Sequence, residues 1–307
     1  MASTETLSTF AFFQKFPDEE AARNYFETNR WGNEPNCGHC GSTNVVECKD
    51  HKPMSHRCRD CRKHFSVRTG TVLAESRLPL QKWLLAIFMM TSALKGIPST
   101  QMARELGITQ KSAWFLAQRI RETWMVVSED DMGPNLQVDE TFIGGKQHNK
   151  HANKRTRYGI GSKTAVVGIL EDNGRVRAQP VENVSRRTLQ RFVRANAQEG
   201  ATVVTDCLHS YIGLNDAYQH IRINHSVGEY VRDQAHTNGI ESFWALLKRG
   251  HYGIYHMMSA KHLHRYVDEF SFRHNTAHVG TLQFIEMTIQ RMASKRLTYK
   301  ELISAGR

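Results

Sequence analysis

Two C-x-x-C pairs, "CGHC" at Cys37 and Cys40 and "CRDC" at Cys58 and Cys61, stand 17 residues apart in a chain of 307 residues. Four thiols so spaced can close a tetrahedron around zinc. A stretch of about 30 residues cannot bury a core of its own, so it folds only where a metal takes the core's place. The pattern therefore predicts a zinc ribbon over residues 31–72, built on one structural Zn²⁺ held by Cys37, Cys40, Cys58 and Cys61. Buried free cysteines would not account for two pairs of identical spacing. Cys48, His39, His51, His56 and His64 are rival ligands by residue type and are set aside, because four thiolates already satisfy the ion. The N-terminus lacks a basic-then-apolar leader, so the thiols are read as reduced and metal-binding rather than disulfide-bonded.

The rest of the composition narrows the partners. Lys and Arg number 41 against 30 Asp and Glu, a net charge of +11 that favours a polyanion such as nucleic acid or an anionic membrane surface. Many of these cations crowd the ribbon: Lys49, Lys52, Arg57, Arg59, Arg62, Lys63 and Arg68. The most apolar run, Leu84 to Met90, is well short of the roughly 20 residues that span a bilayer, so no membrane role is expected.

Hydrophobic spacing then divides the chain. Residues 17–30 read as an acidic-start helix, with residues 1–30 as an N-terminal helical segment, and Leu80 to Leu94 as an apolar helix stopped by Gly96 and Pro98. Residues 99–120 have the shape of a helix-turn-helix within a unit spanning 76–127. Gly107 permits the turn, Thr109 caps the second helix, and Gln110, Lys111 and Ser112 lie at its exposed start, where a base-reading edge would be. Arg119 is grouped with them as a DNA contact. "SEDDMGPN", residues 128–135, is the linker. Strand patterns follow in "LQVDETFI", "KTAVVGIL" and "RVRAQPVENV", then a helix from Ser185, then "ATVVTD" and "HIRINHS". This is an α/β domain with a sheet of up to five strands over 136–275, followed by a helical extension over 276–307.

Within that domain Asp139 lies on the first strand, Asp206 ends the strand "ATVVTD", and Glu241 lies on the later helix "HTNGIESFWALLKRG". Acids from distant parts of a chain are what two-metal phosphodiester chemistry requires, because two divalent cations about 4 Å apart must both be neutralised. Glu241 and Lys248 share the polar face of their helix with Asn238, opposite an apolar stripe of Ile240, Phe243, Leu246 and Leu247. Strand alternation sends Glu140 to the opposite face from Asp139 and makes it the weaker candidate.

The order of zinc ribbon, helix-turn-helix, "VDETFIGGK", "VVTDCLHSY" and "HTNGIESFWALLKRGHYGIYHMMSAKHLHRYVDEFSFRHN" resembles insertion-sequence transposases of the DDE superfamily, in the ISXO-type branch with a zinc-ribbon N-terminus. The likeness runs from about Phe16 to Asn275 and includes "RCRDCRKHFSVRTGTVLAESRLPLQKW". It implies a retroviral-integrase-like, RNase H-like catalytic fold with a mixed five-stranded sheet. The implied activity is Mg²⁺- or Mn²⁺-dependent cleavage at transposon ends and joining of a 3′-hydroxyl to target DNA, with two ions bound by Asp139, Asp206 and a third residue. The branch uses either Glu or Asn there, and both Glu241 and Asn238 are present. Glu241 is preferred, being 35 positions after Asp206 and seven before Lys248, with a charge that binds Mg²⁺ better than an amide. Gly38 departs from the frequent Pro of the first knuckle.

The expectation is thus a DNA transposase that binds terminal inverted repeats through its ribbon and helix-turn-helix. It would act as a homo-oligomer on double-stranded DNA in a prokaryotic cytoplasm, associated with the nucleoid when bound. Asn238 would orient a metal ligand, Lys248 would hold a scissile-strand phosphate, and the basic segment 146–157 would follow the DNA backbone. The alternatives are a zinc-ribbon and helix-turn-helix DNA-binding regulator with an inactive RNase H-like domain, and a stand-alone structure-specific nuclease.

Overall fold

The computed structural model describes residues 5–48, 50–125, 130–145, 163–223 and 236–304. The basic segment 146–157, Lys49, the first two residues of the 128–135 linker and the end of "HIRINHS" lie outside the described residues. The chain forms two compact units, one comprising residues 1–124 and 278–307, the other residues 125–277.

The first unit opens with two helices, α1 (Thr9–Lys15) and α2 (Glu19–Trp31), where a helical segment over 1–30 is expected. Both are capped by their own side chains, Ser8 accepting from Ala11 N and Asp18 from Ala21 N. A three-stranded antiparallel meander follows, β1 (Val45–Glu47), β2 (His56–Cys58) and β3 (His64–Phe65), tied to α2 where Arg30 donates to the Val67 and Thr69 carbonyls. Next comes α3 (Leu80–Ser92), whose N-cap Pro79 has no side chain to offer. Its first amides are satisfied from outside, the Glu19 carboxylate accepting from Leu80 N at 2.7 Å and Gln81 N at 2.9 Å. The pair α4 (Ser99–Leu106) and α5 (Gln110–Trp124) turns at Gly107, which is left-handed (φ 60°, ψ 47°), and Thr109 Oγ1 accepts from Ser112 N, as the capping assignment requires.

The second unit is a five-stranded mixed sheet. Its strands are β4 (Asn135–Ile143), β5 (Thr164–Glu171), β6 (Val176–Val181), β7 (Thr202–Asp206) and β8 (Gln219–Ile223), in the order β6-β5-β4-β7-β8. β4, β5 and β6 pair antiparallel, while β4–β7 and β7–β8 are parallel. The crossover into the parallel half is α6 (Arg186–Arg194), capped by Ser185. One face of the sheet buries Leu136, Val138, Val167 and Ile169 against Leu189, Phe192 and Val193 of α6. The other buries Ile143, Val166 and Leu170 against α7 (Asn238–Gly250) and α8 (Leu263–Asn275). Covered on both sides, β5 reads as an almost unbroken apolar run.

From His278 on, the segment expected as a C-terminal helical extension belongs to the first unit. There α9 (Thr281–Gln290) offers Thr288 Oγ1 to the Trp124 indole at 3.0 Å, and α10 (Tyr299–Ile303) begins with a capping box at Thr298 and Glu301. Among the described residues no helix is long and apolar enough to cross a membrane.

Candidate active site

β4 and β7 are in register from Asn135–Thr202 to Gln137–Val204, and their ladder stops there. Asp139 and Asp206 each lie two residues further on, just past the carboxyl end of this parallel ladder; Asp206 is the last residue of β7, whereas β4 runs on to Ile143 against β5. Oxygens of Asp139, Asp206 and Glu140 all lie within 4.8 Å of one another. Glu140 is therefore part of the cluster although its strand position sides with the α6 face, and there Tyr211 donates its hydroxyl to Glu140 Oε2 at 2.8 Å. Asp206 Oδ1 accepts from Leu208 N at 2.9 Å.

Crowding and burial leave their mark on these groups. Burial, then the neighbouring charges of Asp206 and Glu241, push the Asp139 carboxyl up to about 6, against the opposing donors Glu140 N–H and Trp244 Nε1–H. The Glu140 carboxyl is pushed up to about 7 by burial, then by Asp139 and Asp206, with the Tyr211 hydroxyl pulling the other way. Among the described residues no lysine or arginine is paired with any of the three. An all-oxygen set of this kind suits a hard divalent cation, Mg²⁺ or Mn²⁺, which would supply the missing positive charge.

α7 is fastened to β4 at two points. Its N-cap Thr237 does not cap it; the amides of Gly239 and Ile240 donate instead to Gln137 Oε1, at 3.0 and 3.1 Å. A Cβ on Gly239 would come within 2.8 Å of that oxygen, so the approach needs glycine there. The second point is Trp244, whose Nε1–H donates to Asp139 Oδ2 at 3.0 Å. Glu241 is exposed on the same helix, its Oε1 accepting from the Thr237 hydroxyl at 2.9 Å, near enough to Asp139 for its charge to be felt but outside the closest trio. Asn238 and Lys248 are also exposed on α7. Gln137 and Trp244 escaped the sequence reading. Gln137 had a signal, being a polar residue two positions before Asp139 on the same strand face. Trp244 lies just beside the apolar stripe, where its spacing gives it no signal beyond that of a core residue.

In the first unit, Cys37 Sγ and Cys61 Sγ are 3.6 Å apart, Cys40 Sγ and Cys58 Sγ 3.7 Å, and all four sulfurs fall within 4.8 Å. A Zn–S bond of about 2.3 Å in a tetrahedron implies S···S of about 3.8 Å, so the set fits zinc. The two knuckles are built alike. A peptide amide donates to the first sulfur of each, His39 N to Cys37 Sγ and Cys61 N to Cys58 Sγ, and a left-handed residue closes each, Gly41 (φ 78°) and Arg62 (φ 61°). Gly38 has a local reason too, since a Cβ there would collide with the Thr69 carbonyl.

Residues 132–275 match the ISXO2-like transposase domain family, and residues 17–64 match the transposase zinc-ribbon domain family. The chain carries an ISXO2-like transposase domain and a transposase zinc ribbon. A relative from Halobacterium salinarum, described as an uncharacterized protein in transposable element ISH50, is 26% identical over 248 residues, spanning 76% of this chain and 83% of its own. The transposase match contains Asp139, Glu140, Asp206 and all of α7. The ribbon match starts at Pro17 and so takes in α2, in keeping with the Arg30 bonds to the ribbon's end.

One expected DNA contact is corrected by the structure. Arg119 is only 5% exposed, packs its guanidinium over Trp83 and Phe115, and donates to the Ala74 carbonyl at 2.6 Å. Burial lowers its pKa to about 10, so it braces the helices rather than reaching a phosphate. Gln110 and Lys111 are exposed at the start of α5 and Ser112 is half-buried. Gln110 donates to Ser99 Oγ at 2.8 Å, and the Lys111 ammonium sits 4.6 Å from the Tyr299 ring centroid.

Proposed function

We propose that the chain is a DNA transposase that recognises the terminal inverted repeats of an insertion sequence and performs metal-dependent cleavage and strand transfer. The observation that carries this is the meeting of Asp139 and Asp206 just past the end of the parallel β4–β7 ladder, with Glu140 and Glu241 close by. The second unit's strands, counted from its start, are ordered third, second, first, fourth, fifth, with the first three antiparallel and the last two parallel to the first. That order supports an RNase H-like reading of the domain.

A pair of Mg²⁺ or Mn²⁺ ions held by Asp139, Asp206 and Glu241 would supply the Lewis acidity that activates water, then a DNA 3′-hydroxyl, for in-line attack on phosphorus. The chain's own part is to hold the acids on adjacent strands β4 and β7, to fix α7 through Gln137, and to present Lys248 to a phosphate and Asn238 beside the ligand set. The α4–α5 pair is a helix-turn-helix in which Gln110, Lys111 and Ser112 meet the major groove, and the ribbon adds backbone contacts. Two ends must be joined, so the working form is a homo-oligomer on DNA.

The test is strand transfer with pre-cleaved ends and Mg²⁺. Asp139→Asn is expected to lower the rate about 10³-fold, the loss of several kcal/mol of metal-borne stabilisation. Wild-type activity in that variant would remove Asp139 from the chemistry. Running Glu241→Gln beside Asn238→Ala assigns the third residue by whichever falls as far as Asp139→Asn. A footprint without preference for repeat sequence would instead indicate a nuclease.

A further inference from the structure

We infer that Trp244 is a positioning residue for the Asp139 carboxylate, and that Gly168 is glycine in order to admit its indole. In the β4–β5 ladder Gly168 stands directly opposite Asp139, so a side chain at 168 would project on the same face as the acid. Val166 and Leu170, its neighbours on that face, are fully committed to the α7 core, and a glycine between them gives up buried apolar area. The space is taken by Trp244. A Cβ on Gly168 would lie 2.7 Å from Trp244 Cη2, 2.8 Å from Cζ2 and 3.2 Å from Ile240 Cδ1. The indole is 3% exposed and hemmed in, so it has no room to retreat from such a Cβ without lifting off the sheet.

What the indole gains from that position is reach. Its six-membered ring lies on Gly168 while its Nε1–H donates to Asp139 Oδ2 at 3.0 Å. One carboxylate oxygen is thereby fixed by a donor that is itself immobilised by packing. Its other oxygen is left to serve as a ligand atom, oriented before any cation arrives. Buried indoles usually find some acceptor, but a strand glycine in direct register with an acid makes this one specific. The arrangement also balances charge in part, as the indole donor favours the ionised carboxylate that burial disfavours.

The inference rests on Asp139 being a metal ligand, and its test separates the two ideas. The full-length, zinc-loaded chain has five tryptophans, so five indole N–H cross-peaks are expected in a ¹H–¹⁵N spectrum, and Trp244→Phe identifies the one from Trp244. That peak is expected to shift in Asp139→Asn; a peak that stays in place overturns the clamp. Mn²⁺ binding is then titrated by calorimetry in wild type, Trp244→Phe, Gly168→Ala and Asp139→Asn. Trp244→Phe and Gly168→Ala are each expected to raise the Mn²⁺ midpoint about tenfold, the usual effect of removing a ligand's supporting hydrogen bond. In Gly168→Ala every acid and the indole itself are still present, so a matching loss there shows that placement is what matters. A lower melting temperature with an unchanged midpoint means Trp244 only packs, and overturns the proposal. If Asp139→Asn binds Mn²⁺ as wild type does, the metal reading has failed, while the cross-peak still decides whether Trp244 holds the carboxylate.

Discussion

The zinc knuckles and the carboxylate cluster are both sets of converging side chains without a core between them, yet they are held in opposite ways. In the ribbon, each pair of ligands is three positions apart in sequence, and the turn that joins them also donates an amide to sulfur, so the metal completes a locally made site. In the cluster, the acids come from strands 67 positions apart in sequence and are set by sheet register and by a helix fastened across the domain. The first site has little structure to rest on apart from its ion. The second is kept in place by a sheet with apolar cores on both faces, and tolerates its acids only as a strain on that fold.

The sharpest way to break this contrast is to remove zinc. Chelation, or Cys58→Ser, is expected to unfold the ribbon, with a loss on the order of 10 kcal/mol of metal-derived stability. The second unit should keep its own unfolding transition in calorimetry. A ribbon that keeps its near-ultraviolet signal after zinc is stripped, as confirmed by metal analysis, would show that contacts such as Arg30 with the Val67 and Thr69 carbonyls suffice.

Next in size is the fastening of α7. Gln137→Leu leaves the amides of Gly239 and Ile240 without their acceptor in a half-buried place, at an expected cost of about 2 kcal/mol in denaturant unfolding of the second unit. Unchanged stability would mean that Trp244 and the apolar stripe hold the helix unaided.

This pair of sites also explains what was legible in the sequence. Knuckles, strands and the Gly107 turn are local, written in spacings of two to four residues, and so are the candidate aspartates, Asp139 on the first strand and Asp206 at the end of its own. The caps of α3 and α7 are not, because Glu19 serves amides 61 and 62 positions away and Gln137 serves amides 102 and 103 positions away. Glu140 was ranked low on strand alternation alone, a rule that gives the direction of a Cβ but not where a longer side chain ends. Arg119 was misread for a similar reason: a lone cation on a helix reads the same whether it faces DNA or lies between Trp83 and Phe115.

Smaller, and opposite in sign, is the effect of neutralising the cluster. Without divalent cations, Asp139→Asn removes one of several crowded carboxylates from a place that penalises its charge, and should raise the stability of the second unit by about 1 kcal/mol at neutral pH. Saturating Mg²⁺ should reverse the ranking, since wild type alone gains the binding energy. A variant less stable than wild type without metal would show that the Trp244 hydrogen bond outweighs the repulsion.

The smallest effect sets that acid against one the chain neutralises itself. Glu171, 3% exposed at the end of β5, accepts from Arg175 Nε and Nη2 at 2.8 Å each and from Gly133 N at 2.9 Å. Burial alone would raise its pKa, but Arg175 and the Gly133 amide more than offset this and hold the carboxyl below its usual value. A depressed folded pKa means that the stabilisation is complete above the ordinary glutamate value of about 4.3 and fades as pH falls through the folded value. Glu171→Gln should therefore cost about 1 kcal/mol at pH 7. The gap to wild type should close in the acid range, a curve measurable by urea unfolding at stepped pH. Asp139, raised rather than lowered, has the reverse linkage, so its ionisation weakens the metal-free fold as pH rises. If the Glu171→Gln gap stayed constant into acid, the Arg175 pair would be acting as packing rather than as charge. The contrast between an acid neutralised from within the chain and acids kept for an external cation would then lose its internal control.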